Sequence, residues 1–367
     1  MNILHVTKKY PHALGGDAVV VANLQKQQQA AGHRVAIVTS NCDEIKGGQH
    51  IYKCGLKDTP AQLDVITAKR MVSLLLLCFR MFAIVHKERP DIIHTHSIDM
   101  AFFVSFAARW HRIPLVHTFH IVTFYDENQS FLRRKSEMWL AKKAKLHSAT
   151  APNEYDVKKL QTAGLKQATL LPNGVDLALW KSRGYIEKNR ETTFVAVGRL
   201  EDQKGYDYLI KAAALLAGTQ PLKLIIVGEG SQKAALLALI EQLNATDTIT
   251  LVGRKSPSEI RTLLAQSHVA VFSSLYETTP LTLLEAWAAS VPTISTAVGI
   301  LRETPPIFHA SLVVPPRDKW ALADAMQQYV ESSQLRSVSA LAGLKEAQKY
   351  GWPQVAEVAE TIYRSAL

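Results

Sequence analysis

Two carboxylates, Glu277 and Glu285, flank Thr278-Thr279-Pro280-Leu281-Thr282 within residues 273–286. The run reads as a strand ending in two serines, a short loop carrying Glu277, and a helix opening near Pro280. Proline suits a helix's first turn, because its missing N–H would be unpaired there anyway. The free N–H groups of that turn, together with the helix dipole, form a pocket for a phosphate. Glu285 lies inside the helix, about one turn past the pocket, where it can accept hydrogen bonds from hydroxyls. Glu277 can contact a sugar at the other end of the same diphosphate. Two carboxylates flanking an anion site fit a nucleotide-sugar, one taking the ribose and the other the transferred sugar. The alternative is that Glu277 caps the helix electrostatically and Glu285 is a surface residue.

A second stretch, Val197-Gly198-Arg199-Leu200-Glu201-Asp202-Gln203-Lys204-Gly205, leaves one strand and enters a helix near Tyr206. Gly198 permits close backbone approach. Arg199 can chelate phosphate oxygens through its planar fork, and Lys204 acts as a point charge. Together they would offset charge building on a departing diphosphate. A solvated basic loop is the competing reading. Gly15-Gly16 precedes the first helix and could form a backbone nest for phosphate. It is not the three-glycine dinucleotide fingerprint, which disfavours a nicotinamide oxidoreductase.

His94, His96, His117 and His120 form a further set. His94 and His96 share one face of a strand, and His120 lies just past the end of the next. No acidic partner beyond Asp91 accompanies them, so the expectation is no metal. His120 is the one placed to donate a hydrogen bond to substrate; His94 and His96 read as packed or solvated. Residues 131–145 interleave Arg133, Arg134, Lys135, Lys142, Lys143 and Lys145 with Phe131, Leu132, Met138, Trp139 and Leu140. This pattern could rest on an anionic leaflet. It equally describes a domain helix that buries its apolar side, and that reading is preferred. The apolar segment 71–84 reads as core.

The elements that must position these residues alternate short apolar strands with longer helical patterns. Strands are expected at 3–7, 35–40, 91–96, 115–119, 148–151 and 169–171, with helices at 17–31, 65–88 and 131–146. The charged, apolar-poor segment 181–192 reads as a linker. The same alternation restarts after it, with strands at 194–197, 223–227, 248–252, 269–272, 292–295 and 312–314. Such spacing implies βαβ crossovers and parallel sheets. The expected architecture is α/β: an N-terminal Rossmann-like domain over 1–180, a C-terminal one over 181–350, and a last amphipathic helix over 351–367 packing back on the first. Two such domains would enclose a cleft at the carboxyl ends of both sheets.

Bulk properties agree with this outline. Apolar residues make up 47% and charged residues 20% of 367, the balance of a globular protein. The net charge of +10 favours an anionic partner without choosing one. Three cysteines, Cys42, Cys54 and Cys78, argue against a disulfide framework or thiolate zinc site. The opening strand-like run and the short apolar stretches predict a cytoplasmic protein that is neither exported nor membrane-spanning.

These stretches, in this order, resemble the retaining glycosyltransferases of family four, which have the GT-B fold of two facing Rossmann-like domains. Glu277 and Glu285 look like that family's E-x7-E pair, and Gly198-Arg199 with Lys204-Gly205 like its diphosphate-binding segment. Asn173-Gly174-Val175-Asp176 matches the turn closing the first domain, and Val227-Gly228-Glu229-Gly230 and Val252-Gly253-Arg254 match strand ends around the nucleotide. Gly15-Gly16 falls on the donor-facing N-terminal loop, and His120 on a histidine near the sugar. The resemblance implies that Arg199 and Lys204 hold the diphosphate, Glu285 the ribose, Glu277 the sugar, and the backbone near Arg254 the base. It implies metal-independent transfer with retention, from a nucleotide-diphosphate sugar to a glycan, glycolipid or small-molecule acceptor, with no nucleic acid partner. Thr278-Thr279 departs from the usual Gly-Phe, Ser290 from a frequent glycine, and Gly299-Ile300 from a glycine pair, which suggests an unusual donor or a looser site. A nucleotide-sugar isomerase on the same fold and a silent binding protein are the alternatives.

Overall fold

The computed structural model describes residues 1–8, 10, 16–39, 50–53, 68–122, 130–181, 191–302 and 307–367. Gly15, Cys42, Cys54 and most of the expected linker at 181–192 lie outside these residues. The chain divides into two compact units, Met1–Asn173 with Trp352–Leu367, and Gly174–Gly351. The first unit thus ends at the Asn173-Gly174 turn, short of the expected residue 180, and the last helix belongs to it.

Unit 1 is built on β1 (Asn2–Thr7), β2 (Arg34–Thr39), β3 (Ile51–Lys53), β4 (Ile92–Thr95), β5 (Leu115–Thr118), β6 (Ser148–Ala151) and β7 (Ala168–Leu170). They form one parallel sheet in the order β3-β2-β1-β4-β5-β6-β7. Helices α1 (Gly16–Ala30), α2 (Ala68–Glu88), α3 (Ile98–Trp110), α4 (Phe131–Lys143) and α5 (Glu154–Thr162) make the crossovers. Central strands are buried along nearly their whole length because helices cover both faces of such a sheet, although β1, β4 and β5 also carry buried histidines and threonines. Accordingly Ile3, Leu4, Ile37, Ile92 and Ile93 are all buried.

Unit 2 repeats the plan. After α6 (Leu177–Trp180) come β8 (Thr192–Val197), α7 (Tyr206–Ala217), β9 (Leu222–Val227), α8 (Lys233–Gln242), β10 (Ile249–Leu251), α9 (Pro257–Gln266), β11 (Val269–Phe272), α10 (Leu281–Ala288), β12 (Thr293–Thr296), β13 (Ile307–Phe308), β14 (Ser311–Val314), α11 (Lys319–Glu331) and α12 (Ser333–Ala347). The sheet order is β10-β9-β8-β11-β12-β14-β13, parallel except for the last pair. Local signals set several helix starts. Ser256 and Glu259 form a capping box ahead of Pro257 in α9, and Asp318 accepts from the N–H groups of Trp320 and Ala321 at α11. The short edge strands β3 and β13 carry too few residues to show a period, and pattern reading misses them.

The closing helix α13 (Trp352–Ala366) buries Trp352, Val355, Ala359, Ile362 and Tyr363 against Ile3, Val20, Leu24 and Val35 of unit 1. Two expectations need correction. Only one face of α2 is core: Leu77, Met81, Ile84 and Val85 are buried, while Val72, Leu75, Leu76 and Phe79 are exposed. Helix α4 buries Ala141 but leaves Phe131, Leu132 and Trp139 exposed, so it does not hide its apolar side as preferred above. Among the described residues no helix is long and apolar enough to cross a membrane.

Candidate functional site

Among the parallel strands of each sheet the order reverses once, between β1 and β4 in unit 1 and between β8 and β11 in unit 2. Loops leaving the two strands at such a point diverge and open a crevice. Most functional residues expected in unit 2 lie on those loops or in helix α10 behind the second, while Arg254 follows β10.

The β8 loop runs through Gly198 and Arg199, tightens into a 3-10 turn over Asp202–Lys204, and enters α7 at Gly205. Gly205 has φ +59°, and a Cβ there would strike the Ser273 carbonyl. Only glycine meets both conditions. The β11 loop is laced to this turn. Leu275 N–H donates to the Gln203 carbonyl, Gln203 Nε2 to the Tyr276 carbonyl, and the Ser273 hydroxyl to the Lys204 carbonyl, each at 2.8 Å. The lacing brings Lys204 Nζ against Glu277 Oε1 in a largely buried ion pair. The Ser274 hydroxyl donates to the same carboxylate oxygen at 3.4 Å. Arg199 is exposed on the same loop; its side chain makes no hydrogen bond or ion pair among the described residues, but its charge helps hold the Glu201 carboxyl below its ordinary value, after the bonds from Ser231.

Glycines form the floor of this region. Gly198 N–H donates to the Val227 carbonyl at 3.0 Å, and Gly228 N–H to the Gly253 carbonyl at 2.9 Å. A Cβ on Gly228 would collide with the Gly198 carbonyl, and one on Gly230 with the Leu200 backbone. The carboxyl ends of β8, β9 and β10 therefore approach backbone to backbone. Arg254 follows Gly253 (φ +71°) and is exposed. Glu201 anchors the neighbouring loop by accepting from the Ser231 N–H and hydroxyl at 3.2 and 2.6 Å.

Pro280 is the residue before α10 rather than inside its first turn, with φ −62° and ψ 126°. Leu283 N–H turns back to the Pro280 carbonyl at 3.1 Å. The N–H groups of Leu281 and Thr282 make no hydrogen bond among the described residues and are those left for an anion. Glu285, one turn on, is partly buried and has no partner among the described residues. Burial pushes its carboxyl up to about 7. Thr278 and Thr279 are buried, and the Thr278 carbonyl accepts from Ile300 N–H at 2.8 Å. Gly299 has φ +55°, and a Cβ on it would overlap that carbonyl, so this glycine is a packing requirement of the loop. Ser290 is the residue after the C-cap of α10, with φ +56°. Glycine is favoured at such a helix-ending position for backbone reasons. The Ser290 departure therefore concerns a helix terminus and not donor choice.

In unit 1, Gly16 opens α1 and Asp17 lies in its first turn. His120 stands just past β5, partly buried, and burial lowers its pKa while Asp17 opposes that shift. His94 and His96 are packed, not solvated. His5, His94 and His96 bring ring nitrogens within 4.8 Å of one another. Both nitrogens of each ring are already hydrogen-bonded: His5 to His96 and Gln28, His94 to Tyr363 and Thr118, His96 to His5 and His120. Hydrogen bonding accounts for this cluster without a metal. His117 Nδ1 pairs with the Thr95 hydroxyl at 2.8 Å, and burial lowers its pKa to about 3.

Sequence reading missed Gln203, Ser273, Gln28 and Tyr363. Each is an ordinary polar residue whose role comes from a partner far away in the chain, so no local spacing marks it.

A family model described as Glycosyltransferase Family 4 matches residues 14–179, and one described as Glycosyl transferases group 1 matches residues 181–343. The chain is 26% identical to a glycogen synthase of Mycobacterium tuberculosis over 398 aligned positions, covering 100% of this chain and 95% of that protein. Its fold is similar to sucrose-phosphate synthase from Thermosynechococcus elongatus, with a TM-score of 0.80 at 22% identity over 100% and 99% of the two chains. It is similar also to HepE of Anabaena in complex with UDP-glucose, with a TM-score of 0.79 at 18% identity and complete coverage of both.

Proposed function

The chain belongs to family four of the glycosyltransferases and has the GT-B fold, and on that premise we propose that it moves a sugar from a nucleotide-diphosphate donor to a glycan, glycolipid or small-molecule acceptor. Transfer proceeds with retention and without a metal ion. The observation that carries this reading is the Lys204–Glu277 pair at the switch point of unit 2, with the exposed Arg199 on the same β8 loop as Lys204. It sets cations for a diphosphate next to a carboxylate for a sugar.

In this reading Arg199, Lys204 and the N–H groups of Leu281 and Thr282 receive the diphosphate. Glu285 accepts from ribose hydroxyls, Glu277 from sugar hydroxyls, and the backbone near Gly253 and Arg254 meets the base. The acceptor oxygen bonds to the anomeric carbon on the face from which the diphosphate leaves. The anomeric carbon–phosphate oxygen bond breaks, and the acceptor's proton passes to a phosphate oxygen. Cations that meet this growing charge lower the barrier, each by roughly 10²–10³ in rate. The HepE complex makes UDP-glucose the first donor to try.

A thermal-shift screen of nucleotide diphosphates and their sugars identifies the donor. With it, Lys204→Ala and Arg199→Ala are each expected to lower kcat by roughly 10²–10³, and added chelator to change nothing. Wild-type transfer by both Lys204→Ala and Glu285→Ala would sink the assignment. Epimerised sugar released without an acceptor would favour the isomerase instead.

The finer reading includes peripheral association with an anionic membrane. Phe79 of α2, Trp110 of α3 and Leu132 of α4 are 72%, 77% and 78% exposed. The helices are neighbours: the Phe82 and Trp110 rings lie 6.3 Å apart, and those of Phe102 and Trp139 5.5 Å. Exposed Arg80, Lys87, Arg109, Lys135, Lys142 and Lys143 accompany the apolar residues. Every acid on the three helices is neutralised: Glu88 by Arg34 and His50, Asp99 by Lys8, Glu137 by Arg133. Apolar side chains among unopposed bases fit an anionic leaflet. Sedimentation with phosphatidylserine-containing vesicles is expected at low salt, with release at high salt and in Phe79→Glu/Leu132→Glu. Equal binding to neutral vesicles, or none to either, would refute it.

A further inference from the structure

Lys204 and Glu277 occupy each other in the free protein, and we propose that this makes Glu277 the residue that distinguishes a nucleotide-sugar from the bare nucleoside diphosphate left after transfer. On the proposed function Lys204 meets the diphosphate and Glu277 the sugar, and the inference rests on that reading.

The pair is built into the fold. Ion pairs on open surface contribute little, but these two side chains are only 17% and 14% exposed. Their backbones are fixed as well. The 3-10 turn carrying Lys204 ends in the left-handed Gly205, and three hydrogen bonds tie the turn to residues 273–276, just ahead of Glu277. The Lys204 stem lies across Gly198, where a Cβ would stand 3.0 Å from the lysine Cε and 2.8 Å from the Tyr206 hydroxyl oxygen. Burial raises the pKa of that hydroxyl, and the Glu277 charge raises it further. Gly198 thus leaves room for the lysine that meets Glu277.

One cation and one carboxylate make the pair neutral. A diphosphate drawn to Lys204 must take the amine from a resident anion and then lie beside that anion. Two like charges in a partly desolvated site repel. A bare nucleoside diphosphate relieves none of this, because phosphate oxygens accept hydrogen bonds as the carboxylate does. A nucleotide-sugar brings hydroxyl donors. Lys204 and Ser274 both approach Glu277 Oε1, while Oε2 makes no hydrogen bond among the described residues. A sugar hydroxyl can donate to Oε2 as the amine turns toward phosphate, and a hydrogen bond to a charged acceptor is the stronger kind. The carboxylate is therefore satisfied again with the substrate and left unsatisfied with the product. Glu277 weakens product binding and hastens release of the nucleoside diphosphate, a step that limits many enzymes.

Calorimetric titration of the full-length protein with UDP, ADP, GDP and dTDP and their glucose esters tests this. For the base that binds, Glu277→Gln is expected to bind the bare diphosphate roughly tenfold tighter and to lose most of the wild-type preference for the glucose ester. A glutamate that only contacted the sugar would leave the bare diphosphate unaffected. Labelling with acetic anhydride, read at Lys204 by peptide mass spectrometry, needs no ligand. The amine should acylate slowly in the wild type and several-fold faster in Glu277→Gln, whose side chain has the same size. Unchanged or weaker diphosphate binding in Glu277→Gln, or equal labelling of Lys204 in both proteins, would overturn the inference; nucleotide-sugar binding by the wild type would leave the proposed function standing. If neither protein binds any of these nucleotides, the proposed function fails and the inference with it.

Discussion

Glu285 holds its proton up to about 7, where an exposed glutamate has long been ionised, because burial disfavours the charge and no cation among the described residues pairs with it. The unfolded chain releases that proton near the ordinary 4.5. Between those values the folded state binds more protons, so stability falls as pH rises across the window and stays lower above it. The loss is on the order of 3 kcal/mol. Glu285→Gln is expected to match the wild type in denaturant unfolding near pH 4 and exceed it at pH 8. In catalysis the direction is opposite. A carboxylate accepts more strongly from ribose hydroxyls than its acid form, so kcat/KM for donor should rise with pH through about 7. Glu285→Gln should flatten that limb; a wild-type profile flat from 6 to 8 would remove Glu285 from donor recognition. That Glu285 would be ionisable and helical was readable from the sequence. Its burial was not, since that depends on what α10 packs against.

At the scale of elements, loops are held by backbone conformation as much as by side chains. Ser290 ends α10 in the left-handed region, which a side chain occupies at a cost of about 1 kcal/mol. Ser290→Gly should relieve that strain and raise Tm by about 2–4 °C in a unit of this size, with donor affinity unchanged. A changed donor preference would return Ser290 to the site. Gly205→Ala should do the reverse, since its Cβ would meet the Ser273 carbonyl in a left-handed backbone. A loss of about 1–3 kcal/mol is expected, with weakened transfer because Lys204 is the adjacent residue. Helix α2 shows a limit of pattern reading at this scale. Its apolar pattern reads as one buried surface, yet the row Val72, Leu75, Leu76, Phe79 follows a helical face of its own and is exposed. Hydrophobicity marks that row without saying whether protein or another apolar phase covers it.

For the whole molecule, the first unit is closed by the last helix. Trp352, Ile362 and Tyr363 pack on Ile3, Leu24 and Val35, and removing large buried side chains costs roughly 2–5 kcal/mol each. Together that exceeds much of the 5–15 kcal/mol typical of a domain. A chain ending at Gly351 should lose unit 1, while 174–351 survives limited proteolysis as a folded fragment. A truncated chain with both units intact, or with neither, would contradict this division. Tyr363 also links Gln28 to His94, so the same truncation removes that buried link.

The order of apolar runs and helical periods determined the two α/β units, because backbone pairing and burial impose those periods locally. Residue types determined which groups could meet a diphosphate sugar: Arg199 and Lys204 carry charge, Glu277 and Glu285 accept, and the glycines let backbone approach. The tertiary structure alone decided that Lys204 lies on Glu277, 73 positions away, and that Gln28 reaches Tyr363 across 335. A long-range hydrogen bond and a carboxylate's burial are properties of neighbours in space, and in a doubly wound sheet those neighbours come from strands and helices far apart in the chain.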